Sequence, residues 1–572
     1  MRDLLTRLDA GVGRLLALLD RRPPLGAAAI LLVGLITLLP GQAALPVIDR
    51  DEARYVLASQ QMLASGDLVD IRNLDRPRYK KPVGIYWSQA AVAAIDGRGA
   101  EAPIDVFRRV SVAGILLAGL MTLWAFAPLV GGAAATLAGV GVTSATMSIV
   151  EAHIAKTDAL LLGVTMLALA AILRSRHAFL NAGPVAARWL LWAALAAGVL
   201  IKGPITPLVA ALAMAAFCLR DRSLRFAAAL APARGAALFL ALTLPWFVAI
   251  TIASDGAFWA ASFGEDLMGK VGSGAEGHAG PPGYYLATVW VTFWPWAPFA
   301  LLAVPGLWRD RRAELPRLLA LWIGGVFLLF ELLATKLPHY TLPALPAVAL
   351  MAALAIAGQR RVPALWLRIV AAALLLAGAA ALAGLIAFAP ALAGAAPDGP
   401  ALLAAALALL LTAAAAVAMI AGAARAALVL ALAAAMLLTP ALLTRSIPAM
   451  TLLFPSGKMA ALDAQLDRCA VRPAVSVGYA ELSLAVLTGP DTLFPSRDPA
   501  LALLARRDGW RVFVTDTGDA PAAGFVGQSQ VALQEIARFP LINYNQSQAT
   551  RTAVLLAAAN DPRLAPCLPL GG

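Results

Sequence analysis

Charged residues are scarce in this sequence. Only 14% of its 572 residues are Asp, Glu, Lys or Arg, whereas 61% are hydrophobic and the mean hydropathy is +0.78. Soluble domains carry roughly 25% charged residues and about 45–50% apolar ones. The shortage of charge therefore excludes an ordinary soluble protein and predicts a multi-pass membrane protein.

The sequence also lacks the usual marks of a metal enzyme or a nucleotide-binding enzyme. It has four histidines without a close ligand pair, so we expect no metal and no other cofactor. A glycine-rich phosphate-binding loop is missing as well. The net charge of +12 is not gathered in a basic run interleaved with aromatic residues, so nucleic-acid binding is not favoured. The arginines fall instead in short loops between apolar runs, where they set membrane topology.

We predict thirteen membrane spans, each an apolar run near the length of about 20 residues that a bilayer requires. The first 22 residues are basic and show no export pattern, so no cleavable signal peptide is expected. With this N-terminus in the cytoplasm, the arginine-rich short loops all fall on the cytoplasmic side, in agreement with the positive-inside rule. The predicted spans are 24–44, 108–130, 132–150, 157–174, 186–201, 204–219, 234–253, 285–305, 316–334, 340–357, 365–389, 400–423 and 424–444.

An odd number of crossings places the C-terminal segment outside, which divides the chain into a membrane domain, 1–448, and an outer domain, 449–572. Strand-like and helix-like runs alternate in the outer segment and predict a small α/β domain. Cys469 and Cys567 both lie there, and an oxidising compartment permits a disulfide between them. The predicted strands are 474–479, 511–514 and 552–556, and the predicted helices are 456–468 and 498–507.

The first outer loop, about 45–107, carries a dense group of charged residues in an otherwise apolar region. Segments 51–64 and 83–95 do not suit a membrane span, and we expect them to form helices in the interface plane. An acidic pair such as Asp51 and Glu52 can simply favour a helix N-terminus. At the edge of a membrane, however, charged groups are usually functional or paired, and a carboxylate there can accept a proton from an acceptor hydroxyl.

Lys80 and Lys81 form a basic pair in the same loop. Juxtamembrane lysines often only attract anionic lipid. This pair lies on the outer side, against the positive-inside trend, so we expect it to bind a specific anion. A phosphate is the ligand that the pattern favours, and Arg54 is a further cation in the loop for an anionic headgroup.

Further polar residues fall at the outer ends of four spans. Any one of them could be a side chain that snorkels from the apolar region to water. Four spans that each bring a polar group to the same face instead predict a basic cavity with two separated acids. Such a cavity opens to the outer side and suits a phosphorylated lipid. The residues are Asp158, Lys202, Lys336, His339 and Tyr340.

In their order along the chain, these motifs resemble those of the GT-C glycosyltransferases that use polyprenyl-phosphate sugars. The sequence is similar to the bacterial lipid A aminoarabinose transferases and to the related protein O-mannosyltransferase superfamily. The resemblance covers roughly residues 24–445. The motifs are Asp51-Glu52-Ala53-Arg54-Tyr55, Gly66-Asp67, Lys81-Pro82 before Tyr86-Trp87, Asp158, Lys202-Gly203-Pro204, Glu276-Gly277-His278-Ala279-Gly280-Pro281 and Lys336-Leu337-Pro338-His339-Tyr340.

The resemblance implies an α-helical GT-C membrane fold and an inverting sugar transfer at the periplasmic face of a bacterial inner membrane. The donor is then a polyprenyl phosphate of the undecaprenyl type, and the acceptor is lipid A, the lipopolysaccharide core or another envelope glycan. Asp51 and Asp158 match the functional acids of the family. The residues for the donor phosphate and substrate are Arg54, Tyr55, Lys81, Lys202, Lys336 and Tyr340, and possible supporting residues are Glu52, Lys80, His278 and His339.

One position departs from the family pattern. The aminoarabinose transferases have a Glu before the Lys-Pro pair, as part of a zinc site shared with the second-loop His, whereas this chain has Lys80. We therefore expect no zinc at His278. The extra cation favours a more anionic donor or acceptor, such as a uronic acid.

Two alternatives remain at this level. A protein O-glycosyltransferase of the same superfamily would share these motifs. A transporter of a lipid-linked substrate would place its ionisable groups near the bilayer midplane and often shows internal repeats. The polar residues cluster at the outer ends of the spans, which favours the transferase.

Overall fold

The fold is mostly helical. A computed structural model of the chain describes residues 2–267, 280–358, 362–516, 523–545 and 550–568. The α-helices are Arg2–Arg21, Pro23–Leu38, Asp51–Ser65, Gly84–Ile95, Ile104–Val130, Gly132–Ser144, Thr146–Ala152, Thr157–Leu180, Arg188–Lys202, Ile205–Asp221, Arg225–Ala229, Pro232–Ala253, Ala257–Trp259, Tyr284–Thr292, Trp296–Arg309, Glu314–Glu331, Leu345–Ala357, Leu365–Leu392, Gly399–Ala421, Ala424–Ala441, Ile447–Ala449, Pro455–Asp467, Leu482–Thr488, Arg497–Ala505 and Ala523–Val526.

Seven helices in the described part of the chain are long and apolar enough to cross a membrane, and each coincides with a predicted span. Two further predicted spans are bent pairs of helices. Gly132–Ser144 and Thr146–Ala152 meet at 54°, and Tyr284–Thr292 and Trp296–Arg309 meet at 116°. Counting each pair as one span gives nine among the described residues, and the multi-pass architecture is confirmed.

The other four predicted spans are helices that are shorter or more charged. Pro23–Leu38, Arg188–Lys202 and Ile205–Asp221 have 16, 15 and 17 residues. Glu314–Glu331 has 18 residues, with acidic side chains at both ends. Because a straight span needs about 20 residues, the total of thirteen crossings stays a prediction.

The centre of the bundle is a contact between the helices Ile104–Val130 and Thr157–Leu180. A Cβ atom at Gly114 would lie 2.5 Å from the carbonyl oxygen of Ala159, and one at Gly163 would lie 2.5 Å from the carbonyl oxygen of Gly114. Glycine is required at both positions because the backbones touch, as in small-residue packing of membrane helices. This contact fixes the height of the first turn of Thr157–Leu180, which carries Asp158.

The opposite end of the same helix is held by an ion network. Arg176 donates from Nη2 to Oδ1 of Asp221 at 3.0 Å and from Nε to Oε1 of Glu314 at 3.4 Å. Arg220 also pairs with Glu314. At 1.5 Å per residue, this network lies about 27 Å from Asp158 along the helix. It joins three helices at the end remote from the outer loop.

The first outer loop contains the two predicted helices, now Asp51–Ser65 and Gly84–Ile95, and a short antiparallel pair, β1 (Arg72–Asn73) and β2 (Arg76–Pro77). Apolar side chains from the loop pack against one another and against the membrane helices. The loop is therefore a folded layer on the bundle.

The C-terminal segment forms the expected small α/β domain. Its four-stranded sheet has the order β3-β4-β6-β5, in which β3 and β4 are parallel and the other pairs are antiparallel. Apolar clusters cover both faces of the sheet. Cys469 and Cys567 form a disulfide. The strands are β3 (Ser476–Val477), β4 (Arg511–Asp516), β5 (Leu533–Ile542) and β6 (Thr550–Ala558).

Candidate functional site

A cavity of about 110 Å³ lies at the Asp158 end of the bundle. Its polar lining comes from four separate parts of the chain: Lys81 before the second loop helix, Asp158, Lys202, and His339 with Tyr340. Asp158 is in the first turn of its helix, Lys202 ends Arg188–Lys202, and the last pair lies in the 3₁₀ helix Pro338–Ala344. Helix ends bring these residues together, as the sequence predicted.

Asp158 is the centre of the polar side of this cavity. The Nζ atom of Lys202 lies 2.6 Å from its Oδ1, and Nε2 of His339 lies 3.5 Å from the same oxygen. Nζ of Lys156 lies 3.8 Å from Oδ2. The Lys202 ammonium also lies 5.9 Å from the centre of the Tyr340 ring, within the range of a cation–π contact.

Glu151 and Lys156 belong to the same network, although the sequence reasoning did not select them. Glu151 is buried, with Lys156 Nζ at 3.0 Å and His339 Nδ1 at 3.6 Å from its Oε1. The His339 ring therefore has a carboxylate near each nitrogen. A buried acid inside an apolar run was the available signal, because membrane proteins rarely retain one without a partner.

Several lysine ammonium groups lie at the polar side of the cavity. Lys81 and Lys202 line it, and Lys156 lies behind Asp158, together with the carboxylate of Glu151. Ammonium groups are strong hydrogen-bond donors to an anion such as a phosphate. The remainder of the lining is apolar and includes Leu161, Leu162, Ile205, Phe330 and Leu333.

Asp51 is exposed at the first position of Asp51–Ser65. Within the described residues, its carboxylate makes no hydrogen bond and no ion pair. It lies one helical turn before the buried Tyr55. Burial first, and then the Tyr86 hydroxyl and the Asp51 charge, raise the pKa of the Tyr55 hydroxyl. An exposed carboxylate that is not held by a hydrogen bond is available to accept a proton.

Glu52, the other acid of the pair, is fully buried in an ion pair with Arg108. Arg108 donates from Nε to Oε1 and from Nη2 to Oε2, both at 2.8 Å, and both side chains are 0% exposed. Glu52 also accepts hydrogen bonds from the backbone N–H groups of Ile48 and Ala155. This geometry gives Glu52 a structural role, since it fixes the loop helix to the bundle.

Arg78 is a buried cation that the sequence reasoning passed over. Its Nε donates to the Tyr86 hydroxyl at 3.2 Å, and its guanidinium carbon lies 4.9 Å from the centre of the Tyr55 ring. In the described ranges no carboxylate forms a hydrogen bond or an ion pair with it, and the Asp51 charge acts on it only from a distance. A buried guanidinium that is not directly paired is costly, so Arg78 is a candidate ligand for an anion. Arg54 is half-buried one residue before Tyr55.

Two further residues selected from the sequence, Lys80 and Lys336, do not line the cavity. Lys80 is exposed. Lys336 is buried and donates to the carbonyl oxygens of Glu331 at 2.7 Å and Leu333 at 3.0 Å, so it caps the end of Glu314–Glu331. His278 lies outside the described residues. Among those that are described, no group of three His, Cys, Asp or Glu side chains is arranged to hold a metal ion.

Part of this sequence is similar to the sequences of known transferases. No family model matches the chain. An undecaprenyl phosphate-α-4-amino-4-deoxy-L-arabinose arabinosyl transferase of Pseudomonas aeruginosa PAO1 is 30% identical over 310 residues, 53% of this chain and 54% of that protein. The protein of the same name from Enterobacter sp. 638 is 26% identical over 305 residues, again 53% and 54%. The chain thus matches these curated relatives over about half of their length.

The solved structures extend the likeness in fold over most of the chain. ArnT from Cupriavidus metallidurans bound to undecaprenyl phosphate has a TM-score of 0.71 at 21% identity, over 94% of this chain and 98% of that chain. The chain has the ArnT fold. The apo oligosaccharyltransferase of Archaeoglobus fulgidus, at TM-score 0.50 and 11% identity, covers 85% of this chain and 69% of its own. The expected GT-C architecture and the resemblance to ArnT are confirmed.

Proposed function

We propose that this protein transfers a sugar from undecaprenyl phosphate to lipid A on the periplasmic face of a bacterial inner membrane. The observation that carries the proposal is the cavity lined by Lys81, Lys202 and Asp158, in a chain with the ArnT fold. The relatives are named for a donor of this kind. The lipopolysaccharide core and other envelope glycans are further acceptors for the same reaction.

The cationic side of the cavity binds the donor phosphate. Lys81 and Lys202 donate hydrogen bonds to its oxygens, and Asp158 holds the Lys202 ammonium in place. Negative charge grows on the phosphate as its bond to the sugar breaks. Cations already in position stabilise that charge more in the transition state than in the ground state, which accelerates the reaction. Apolar side chains such as Phe330 and Leu333 contact the start of the isoprenoid chain.

Asp51 acts on the acceptor. It takes the proton of an acceptor hydroxyl, or orients an acceptor phosphate that is already ionised. The acceptor oxygen then forms a bond to the anomeric carbon from the face opposite the leaving group. The bond from that carbon to the phosphate oxygen breaks, undecaprenyl phosphate leaves, and the configuration at the carbon is inverted.

The sugar is proposed from the relatives, whose names specify 4-amino-4-deoxy-L-arabinose. The sequence argument for a uronic acid depended on Lys80, and this side chain is exposed and away from the cavity lining. Aminoarabinose is therefore the first sugar to test. A uronic acid is the second.

The test is mass spectrometry of lipid A from a strain that lacks its own transferase and expresses this chain. The wild-type protein adds the mass of one sugar, and Asp51→Asn does not. Asp75→Asn, an exposed acid in the same loop, is the matched control and retains the product. Unmodified lipid A together with newly glycosylated proteins would favour the O-glycosyltransferase instead. Lipid movement across vesicles without sugar transfer would favour a transporter.

A further inference from the structure

The C-terminal domain contacts the segment that leads directly into the Asp51 helix. The Tyr479 hydroxyl donates to Oδ2 of Asp49 at 3.2 Å, and the backbone N–H of Asp49 donates to the Tyr544 hydroxyl at 3.1 Å. Nη2 of Arg50 donates to the carbonyl oxygen of Asn545 at 3.0 Å. We call these five residues the clasp. Asp49 is 6% exposed, so this contact is buried.

Tyr479 is itself held in a hydroxyl network. Its oxygen lies 2.9 Å from Oγ of Ser456, which lies 2.6 Å from Oγ of Ser483. All three side chains are buried. The network fixes the tyrosine in the geometry that reaches Asp49.

Backbone strain at Arg50 shows that the segment is constrained. Arg50 has φ of +66° at the residue before the loop helix, a conformation that a residue with a side chain seldom adopts. Such a conformation persists where the surrounding contacts determine it. The clasp provides those contacts, and Val486 of the C-terminal domain packs against the cluster that contains Val56 of the same helix.

Asp51 consequently lies between two anchored neighbours. The clasp holds Asp49 and Arg50 on one side, and the buried pair of Glu52 and Arg108 holds the other side. We propose that the C-terminal domain, through the clasp, positions the Asp51 carboxylate, which makes Asp49 a positioning residue for transfer. This inference rests on the function proposed for Asp51.

The clasp also responds to pH. The pKa of Asp49 is raised to about 7, mainly by burial and also by the charge of Glu481, against the lowering effects of Ser483, Tyr479 and the charge of Arg54. Tyr544 and Arg50 complete its surroundings. A raised pKa means that the closed clasp is favoured by protonated Asp49. The stabilisation of the clasp by protonated Asp49 is complete below the ordinary carboxyl pKa of 3.8. It is lost as the pH rises through about 7.

The experiment measures hydrogen–deuterium exchange of a peptide covering residues 48–57 in the purified full-length protein, together with kcat and KM for lipid A modification. We expect Asp49→Ala and Tyr479→Phe to exchange about fivefold faster there, since one hydrogen bond contributes about 1 kcal/mol. We also expect kcat to fall while KM for the lipid donor stays unchanged. Asp49→Asn keeps an oxygen that accepts the hydrogen bond and cannot ionise. We therefore expect residues 48–57 of this variant to stay protected from exchange at pH 8, where the same residues of the wild type exchange faster.

Glu535→Gln is the matched control, because it changes an acid to an amide at an exposed pair on β5. It leaves exchange at 48–57 and kcat unchanged. If Asp49→Ala destabilises the whole protein, Tyr479→Phe and Tyr544→Phe test the same contacts with the rings retained. Wild-type exchange and wild-type kcat in these variants would overturn the proposal. If the wild type transfers no sugar, the function proposed for Asp51 fails, whereas faster exchange confined to 48–57 still supports the clasp.

Discussion

The ammonium of Lys202 lies 2.6 Å from Oδ1 of Asp158, although 44 residues separate them in the chain. Lys202 is the last residue of its helix and Asp158 lies in the first turn of another, so both charges lie at the ends of apolar helices. The pair is partly exposed to the cavity and keeps one ammonium oriented towards its interior. We expect this pair to determine how well the phosphate of the donor binds.

Replacing Lys202 with Gln should weaken binding of undecaprenyl phosphate by at least about tenfold, because a hydrogen bond to a charged group contributes about 1.5–3 kcal/mol. Titration of the purified protein with undecaprenyl phosphate measures the effect. Lys458→Gln, an exposed lysine in the C-terminal domain, is the control. Equal affinity in the two variants would exclude a phosphate role for Lys202.

Replacing Asp51 with Asn should lower kcat by about 10²-fold or more, the usual contribution of a general base. Affinity for undecaprenyl phosphate should stay the same, because Asp51 acts on the acceptor. Single-turnover assays with loaded donor separate the two quantities. A variant that transfers sugar at the wild-type rate would show that another group takes the proton.

Replacing Glu52 with Gln should destabilise the protein by about 3–5 kcal/mol, since it leaves the guanidinium of Arg108 buried without its counter-charge. Thermal unfolding in detergent reports the loss. The exposed pair of Arg538 and Glu535 provides the comparison, where Glu535→Gln should cost at most about 1 kcal/mol. A similar small loss for Glu52→Gln would mean that water reaches the buried pair.

Replacing Arg78 with Gln should raise KM for the lipid-linked sugar, because a buried guanidinium that forms no direct ion pair among the described residues can bind an anionic group of the substrate. Arg76→Gln changes a neighbouring exposed arginine and should leave KM unaltered. If both variants raise KM equally, the effect comes from the charge of the loop as a whole.

The sequence predicts the polar cavity because its residues stand at the ends of recognisable spans. Asp158, Lys202, His339 and Tyr340 each follow or precede an apolar run, and span ends on one side of a membrane lie near one another. The ArnT-like motif order strengthens that expectation. Bundle architecture and cavity position therefore follow from local patterns.

These local patterns do not predict which distant segments contact each other. Nothing near Glu52 indicates that Arg108 is its partner, since only tertiary packing brings them together. The clasp at Asp49 likewise joins residues more than 400 positions apart. Strand β5 was missed because a register shift between Glu535 and Ala537 interrupts its alternation of side chains.

The ion network at Arg176, Asp221 and Glu314 has a mechanical consequence for how lipids enter. It ties three helices together at the end remote from the cavity, so the bundle has a fixed base there. A transporter that opened alternately to both sides of the membrane would have to break these ion pairs in every cycle. An enzyme that takes up its lipids and releases them within one leaflet can leave the ion pairs intact.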